Sequence, residues 1–154
     1  MRGMRSGPIG CVLVAMMKQK AFQRVLSTQA DVANFWTKLR RPVVLTGHDL
    51  WFVLLGPDAR PLPFVEDLRG LPIEADREIA RRLVAMWGRA RAKHVSVESV
   101  AVLLSRPGLV AVQESDRAWA RVLTDEAAAA GLPMEVIHVA SHRGIRPLPL
   151  DEVA

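Results

Sequence analysis

Two short stretches hold the residues best placed to do chemistry. Leu104-Ser105-Arg106-Pro107-Gly108 closes an apolar run, and Glu114-Ser115-Asp116 opens the next amphipathic one. With Glu66 upstream, the carboxylates Glu66 and Asp116 and the guanidinium of Arg106 are the candidates for a catalytic constellation at the end of a central strand, where open α/β sheets bind ligands. Such a constellation works only if the three groups come within about 10 Å of one another, because catalytic partners act at hydrogen-bond reach or through one water.

The other reactive residue types lack supporting context. His138 and His142 stand four apart, which is about 13 Å in an extended segment and too far to share a metal ion. A hydrogen-bonded core or surface role is expected of them and of His48. His94 falls where a helix ends and a cationic ring is favoured. The single cysteine, Cys11, excludes an internal disulfide and a cysteine-based zinc cluster. No serine sits in a Gly-x-Ser-x-Gly elbow, no glycine-rich phosphate loop occurs, and no RNA-binding aromatic motif is present. Trp36, Trp87 and Trp119 fall on apolar helix faces and Trp51 lies beside Phe52 in a strand, so packing is their expected role.

Three helices and an α/β order position these groups. Ser27-Thr28 with Asp31 three residues after Thr28 has the pattern of a capping box, and Val32, Phe35, Trp36 and Leu39 then follow at helical spacing until Pro42. A second helix is expected from Asp76 to Lys93 on the stripe Ile79, Leu83, Met86, Trp87 and Ala90. A third is expected from a Ser115 cap through Trp119, Val122, Leu123 and Ala127, with Gly131 as a left-handed stop. Leu50–Leu55, Arg60–Val65, Val97–Leu104, Met134–Ala140 and Ile145–Leu148 read as strands, with Gly56-Pro57-Asp58-Ala59 turning the first into the second. The hairpins make the sheet mixed, so the fold class is α/β with a mixed β-sheet and flanking helices.

The chain has 154 residues, half of them hydrophobic, enough for one domain with a real core. Its net charge of +5 is unevenly distributed: residues 1–41 carry eight Lys/Arg and one Asp, or +7, and the remainder is −2. Residues 1–26 are therefore read as a basic arm or edge strand, and residues 27–154 as the single domain. The apolar run Ile9–Met17 is followed by Lys18-Gln19-Lys20 instead of a cleavage site, and it is far short of the roughly 20 residues needed to cross a bilayer. It reads as an edge strand or as sequence ahead of a start at Met16 or Met17, in a protein of the reducing cytoplasm with no membrane partner. Two basic surfaces could meet a partner protein or nucleic acid: Arg82, Arg89 and Lys93 on the second helix, and Lys38, Arg40 and Arg41 at the end of the first. A solvated helix face is the alternative for both.

In order and local wording, Ser27–Leu150 resembles the RadC branch of the JAB/MPN family. Ser27-Thr28-Gln29-Ala30-Asp31-Val32-Ala33, Gly56-Pro57-Asp58-Ala59-Arg60, Val65-Glu66-Asp67-Leu68-Arg69-Gly70, Asp76-Arg77-Glu78-Ile79 and Gly131-Leu132-Pro133-Met134-Glu135-Val136-Ile137-His138-Val139 carry the likeness. The resemblance implies a cytidine-deaminase-like layout. In active members it also implies a His-x-His-Pro motif after the central strand, a following Ser-x-x-Asp and an upstream glutamate, which together hold zinc. Here Leu104 and Arg106 stand where the imidazoles would be, Glu114-Ser115-Asp116 is not Ser-x-x-Asp, and Glu66 is one residue out of register. Neither an aliphatic side chain nor a guanidinium can ligate zinc, which needs three protein ligands and an open position to work as a hydrolase.

The expected function is therefore a non-catalytic, zinc-less module that binds a protein partner or forms a homodimer, with no cofactor. The alternatives are a DNA-associated accessory protein acting through its basic arm and a metal-dependent hydrolase with a non-standard site at Glu66, Arg106 and Asp116.

Overall fold

A continuous apolar run can be a central strand only if both faces of its sheet are covered, and Leu50–Leu55 and Val100–Leu104 meet that condition. The computed structural model describes residues 24–39, 47–94, 96–149 and 151, with Phe64 described by its backbone. The strands are β1 (Asp49–Leu55), β2 (Pro61–Arg69), β3 (Ser99–Ser105), β4 (Ile137–Ser141) and β5 (Gly144–Leu148), and the helices are α1 (Gln29–Leu39), α2 (Arg77–Lys93) and α3 (Glu114–Ala129). The sheet order is β2-β1-β3-β4-β5. β3 and β4 run parallel and the other neighbours antiparallel, so the sheet is mixed as expected. The basic arm before Arg24, the Ile9–Met17 run, and Arg40 and Arg41 lie outside the described residues.

The period of two along each strand sorts the side chains into two cores. On one face Leu50, Phe52, Val100, Val102 and Leu104 pack with Leu83, Val84, Trp87, Trp119 and Leu123 of α2 and α3. On the other, Val53, Leu55, Ala101 and Leu103 meet Val32, Phe35 and Trp36 of α1. Fully burying each such large apolar side chain contributes about 1.5–3 kcal/mol. Both edges of the described sheet discourage further strands: β2 carries Pro61, Pro63, Glu66 and Asp67, and β5 carries Arg146 and Pro147.

Helix ends follow the local chemistry, with one correction. The Asp31 carboxylate accepts the Thr28 N–H at 3.0 Å while Thr28 Oγ1 accepts the Asp31 N–H at 3.1 Å, a reciprocal capping box. Asp76 caps α2 by accepting from Glu78 and Ile79. α3 is not capped by Ser115 as expected: its N-cap is Gln113, whose N–H donates 2.8 Å to Asp116. A carboxylate near the positive end of a helix accepts backbone N–H groups more strongly than a hydroxyl does, so Asp116 displaces the serine from this task. At the other end Gly131 adopts φ +66, with its N–H on Ala128 and the Leu132 N–H on Ala127, a Schellman stop.

A second correction concerns β4, expected from Met134. The ladder begins at Ile137, and Met134 makes only an isolated bridge to Val100. Pro133 has no N–H and only accepts, from Val100 at 3.2 Å; Glu135 donates to Val100 at 2.9 Å, and regular pairing resumes at Leu103 and His138.

Candidate functional site

β3 ends by delivering Arg106 to α3. Leu104 faces the α2/α3 core and is 4% exposed. Arg106, two residues further on, reaches the same side, and its N–H donates 3.1 Å to Ala140 on β4. Its side chain is buried against Asp116 in the first turn of α3. Nε donates to Oδ1 and Oδ2 at 3.0 Å each, and Nη2 donates to Oδ2 at 2.6 Å. Nη2 also reaches the Val110 carbonyl at 2.9 Å and Nη1 the Pro107 carbonyl at 3.4 Å. The Gln113 N–H takes a further position on Oδ2.

The loop between β3 and α3 is held from its other side by the β4–β5 turn. His142 donates its N–H to Gly108 O at 2.9 Å and accepts the Gly108 N–H on Nδ1 at 3.3 Å. Arg143 Nε donates to Leu109 O at 2.9 Å. Gly108, at φ +113, supplies a backbone conformation that L side chains rarely adopt. The outcome is a pinned loop whose apex presents Leu109, 68% exposed, beside Val110, 54% exposed.

The arrangement pairs two of the three candidate residues and leaves the third apart. Asp116 Oδ2 accepts from Nε and Nη2 of Arg106 and from the N-cap N–H of Gln113, and Oδ1 accepts from Arg106 Nε, so the carboxylate is engaged mainly in the clasp. Glu66 does not join it: it pairs with Phe52, which pairs with Val102. From that register Arg106 lies two strands across and four residues along, about 16 Å away between Cα atoms. The three candidate residues thus form no single site, because the sheet carries Glu66 toward the far end of α2.

The histidines also separate. His138 is fully buried, with Nδ1 3.0 Å from Val136 O and Nε2 3.2 Å from Gln29 O. Burial holds its pKa below the ordinary imidazole value, and the two carbonyls oppose that shift. His94 is the C-cap of α2. Among the described residues no three of His, Cys, Asp and Glu gather where they could hold a metal ion.

Glu66 belongs instead to a groove between α2 and the edge strand β2, which local sequence patterns did not indicate. Two open cavities flank Met86. One, of about 340 Å³, is walled by Phe52, Leu54, Leu62 and Trp87 with Glu66 and His94 among its lining residues. The other, of about 410 Å³, is floored by Leu68, Leu71, Ile79 and Leu83, with Arg69, Arg82 and Arg89 around it. Neither is lined by Leu104, Arg106 or Asp116. Arg82 and Arg89 of the basic stripe thus border an apolar trough, whereas Lys93 is exposed beyond it. Lys38 lines a cavity of about 10 Å³ with Arg24 and Asp31.

No family model matches the chain, and no curated protein matches it. Among the described residues no helix is long and apolar enough to cross a membrane.

Proposed function

We propose that this chain is a non-catalytic, zinc-less binding module on a RadC-like JAB/MPN frame, working by holding another protein or a second copy of itself. One observation carries this: the positions that the resemblance assigns to zinc-binding imidazoles hold Leu104, packed in the core, and Arg106, clasped on Asp116. A divalent ion there would have to displace the guanidinium from its carboxylate or sit beside it. Like unit charges 4 Å apart repel by about 4 kcal/mol near a protein surface, and a divalent ion doubles that. The same clasp has a constructive role, since it orders a loop that holds two large apolar side chains out to solvent.

Zinc titration followed by calorimetry, with metal analysis of the purified chain, tests the proposal. The expected result is no stoichiometric zinc and no peptidase, isopeptidase or deaminase turnover. One zinc per chain retained through gel filtration, with turnover abolished by chelation, would overturn it. A DNA-associated role remains the second reading because residues 1–41 carry +7. Duplex binding that weakens steeply with salt, and is lost when residues 1–23 are removed, would select it.

A further inference from the structure

We infer that the trough between α2 and β2 is a docking site for an acidic, apolar helical segment of another protein. This deepens the binding-module reading and rests on it. The trough has the composition of an interface: an apolar floor, an exposed Leu68 on the edge strand (38% exposed), and a cationic border around the cavity floored by Leu68 and Leu71, with Glu66 confined to the other cavity, beside Trp87. Arg82 and Arg89 stand seven residues apart on α2, two helical turns and about 10.5 Å. Arg69 approaches from β2.

The charges on this border are available to a partner. Arg89 makes no ion pair among the described residues. Among the described residues Arg69 pairs with Asp67 at 2.9 Å, with Asp49 opposite it on β1, and Arg82 pairs with Glu78 at 3.2 Å, in pairs open to water. Exposed pairs of this kind contribute about 0–1 kcal/mol and exchange readily for a better-placed carboxylate. An arginine fork binds a carboxylate in two parallel hydrogen bonds, so an anionic partner gains orientation as well as attraction.

Spacing selects the form of the partner. A helix offers two carboxylates on one face about 10.5 Å apart at i and i+7, with residues i+3 and i+4 between them. Those intervening positions fall over Met86, which lies four residues after Arg82 and three before Arg89 and divides the two cavities. Methionine is the side chain best able to adapt its shape there, opening the Trp87 cavity to a large apolar anchor. A fatty acid has one carboxylate and would use one arginine. A basic segment, such as this chain's own Lys18-Gln19-Lys20 region, is repelled by the same border.

Selection of random 16-residue displayed peptides on the immobilised full chain tests this. The expected consensus has Asp or Glu seven residues apart with a large apolar residue between them. Binding should weaken at least about tenfold in the Arg82→Glu/Arg89→Glu variant and should recover for peptides with Lys in place of the acids. Arg60→Glu, away from the trough, should leave binding unchanged. A basic or uncharged consensus, peptides indifferent to the double reversal, no peptide above background, or stoichiometric dodecanoate that displaces the peptide would each overturn the inference. These outcomes are separate from the zinc test. A chain that binds no zinc and selects no acidic peptide loses the docking site alone, and one that binds and uses zinc loses the module reading.

Discussion

Arg106 Nε lies 3.0 Å from both carboxylate oxygens of Asp116, and the pair is almost completely excluded from water. Isolating either charge at that depth leaves it without compensation, which costs about 3–5 kcal/mol when one partner of a buried pair is removed. Asp116→Ala should therefore lower stability to urea by about that amount. The joint replacement Arg106→Met/Asp116→Leu should cost less than Asp116→Ala alone, because no charge is stranded. Urea unfolding of Arg106→Met, Asp116→Leu and the double gives the coupling directly. Additive single effects would show that the clasp is not a unit. In the double variant, amide exchange should rise from Leu109 to Val112, where the guanidinium no longer holds the Val110 carbonyl.

His138 should make stability depend on pH on the acid side of neutrality. Burial favours its neutral ring in the fold, so its folded pKa lies below the ordinary 6.5. The unfolded chain then binds the proton more readily, and stability rises with pH between the two values. The contribution is complete above about 6.5 and is lost progressively as pH falls below it. Both ring nitrogens face carbonyls, and a neutral ring can donate to only one of them. Urea midpoints measured at about pH 7.5 and about pH 5.5 should fall for the native chain and fall less for His138→Gln. Parallel slopes in the two proteins would exclude His138 as the source.

Two small residues occupy each other's preferred conformations, and exchanging them should stabilise the fold. Ala59 in the β1–β2 turn has φ 54, a left-handed conformation that costs an L residue roughly 1 kcal/mol. Gly88 lies inside α2, and a Cβ built on it meets nothing within 4 Å. Gly88→Ala should add about 0.5–1 kcal/mol. Ala59→Gly should add a few tenths, about what relief of strain leaves after the glycine's larger unfolded entropy. Gly131→Ala should do the reverse at φ +66 and cost about 1 kcal/mol, read as a lower thermal midpoint.

Local chemistry made most of the elements legible in the sequence. The Thr28–Asp31 box, the helix opening at Asp76, the Leu50–Leu55 run and the Gly131 stop are decided by residues within a few positions of one another, and each lies where its pattern indicates, with Asp76 serving as the N-cap. The Ser115 cap failed because Asp116, one position later, serves Gln113 and Arg106 at once, and the second duty depends on β3 reaching α3. The trough is not legible in the sequence because its walls come from β2 and α2, which no short-range period relates. Glu66 and Arg82 were both visible as chemistry, but nothing in their spacing showed that one apolar groove would take them in and leave Arg106 elsewhere.

The segment that opens α2, and with it one end of the trough, is latched by Trp119. Its indole Nε1 donates 2.8 Å to Pro72 O, bridging α3 to the chain between β2 and α2, and the ring itself is 3% exposed. Leu71 on one side of Pro72 is buried, whereas Ile73 on the other is 62% exposed, so the indole bond is a principal restraint on this turn. Trp119→Phe keeps an aromatic ring in the core but leaves the carbonyl unpaired and a small void, which together should cost about 1–3 kcal/mol. The loss should be concentrated locally. Amide exchange should rise from Leu71 to Glu78 more than in β1 or β3, and acidic-peptide affinity at the trough should fall without any change at Arg82 or Arg89. Uniformly increased exchange across the sheet would instead mean that Trp119 acts through the core as a whole and that its bond to Pro72 holds nothing in place.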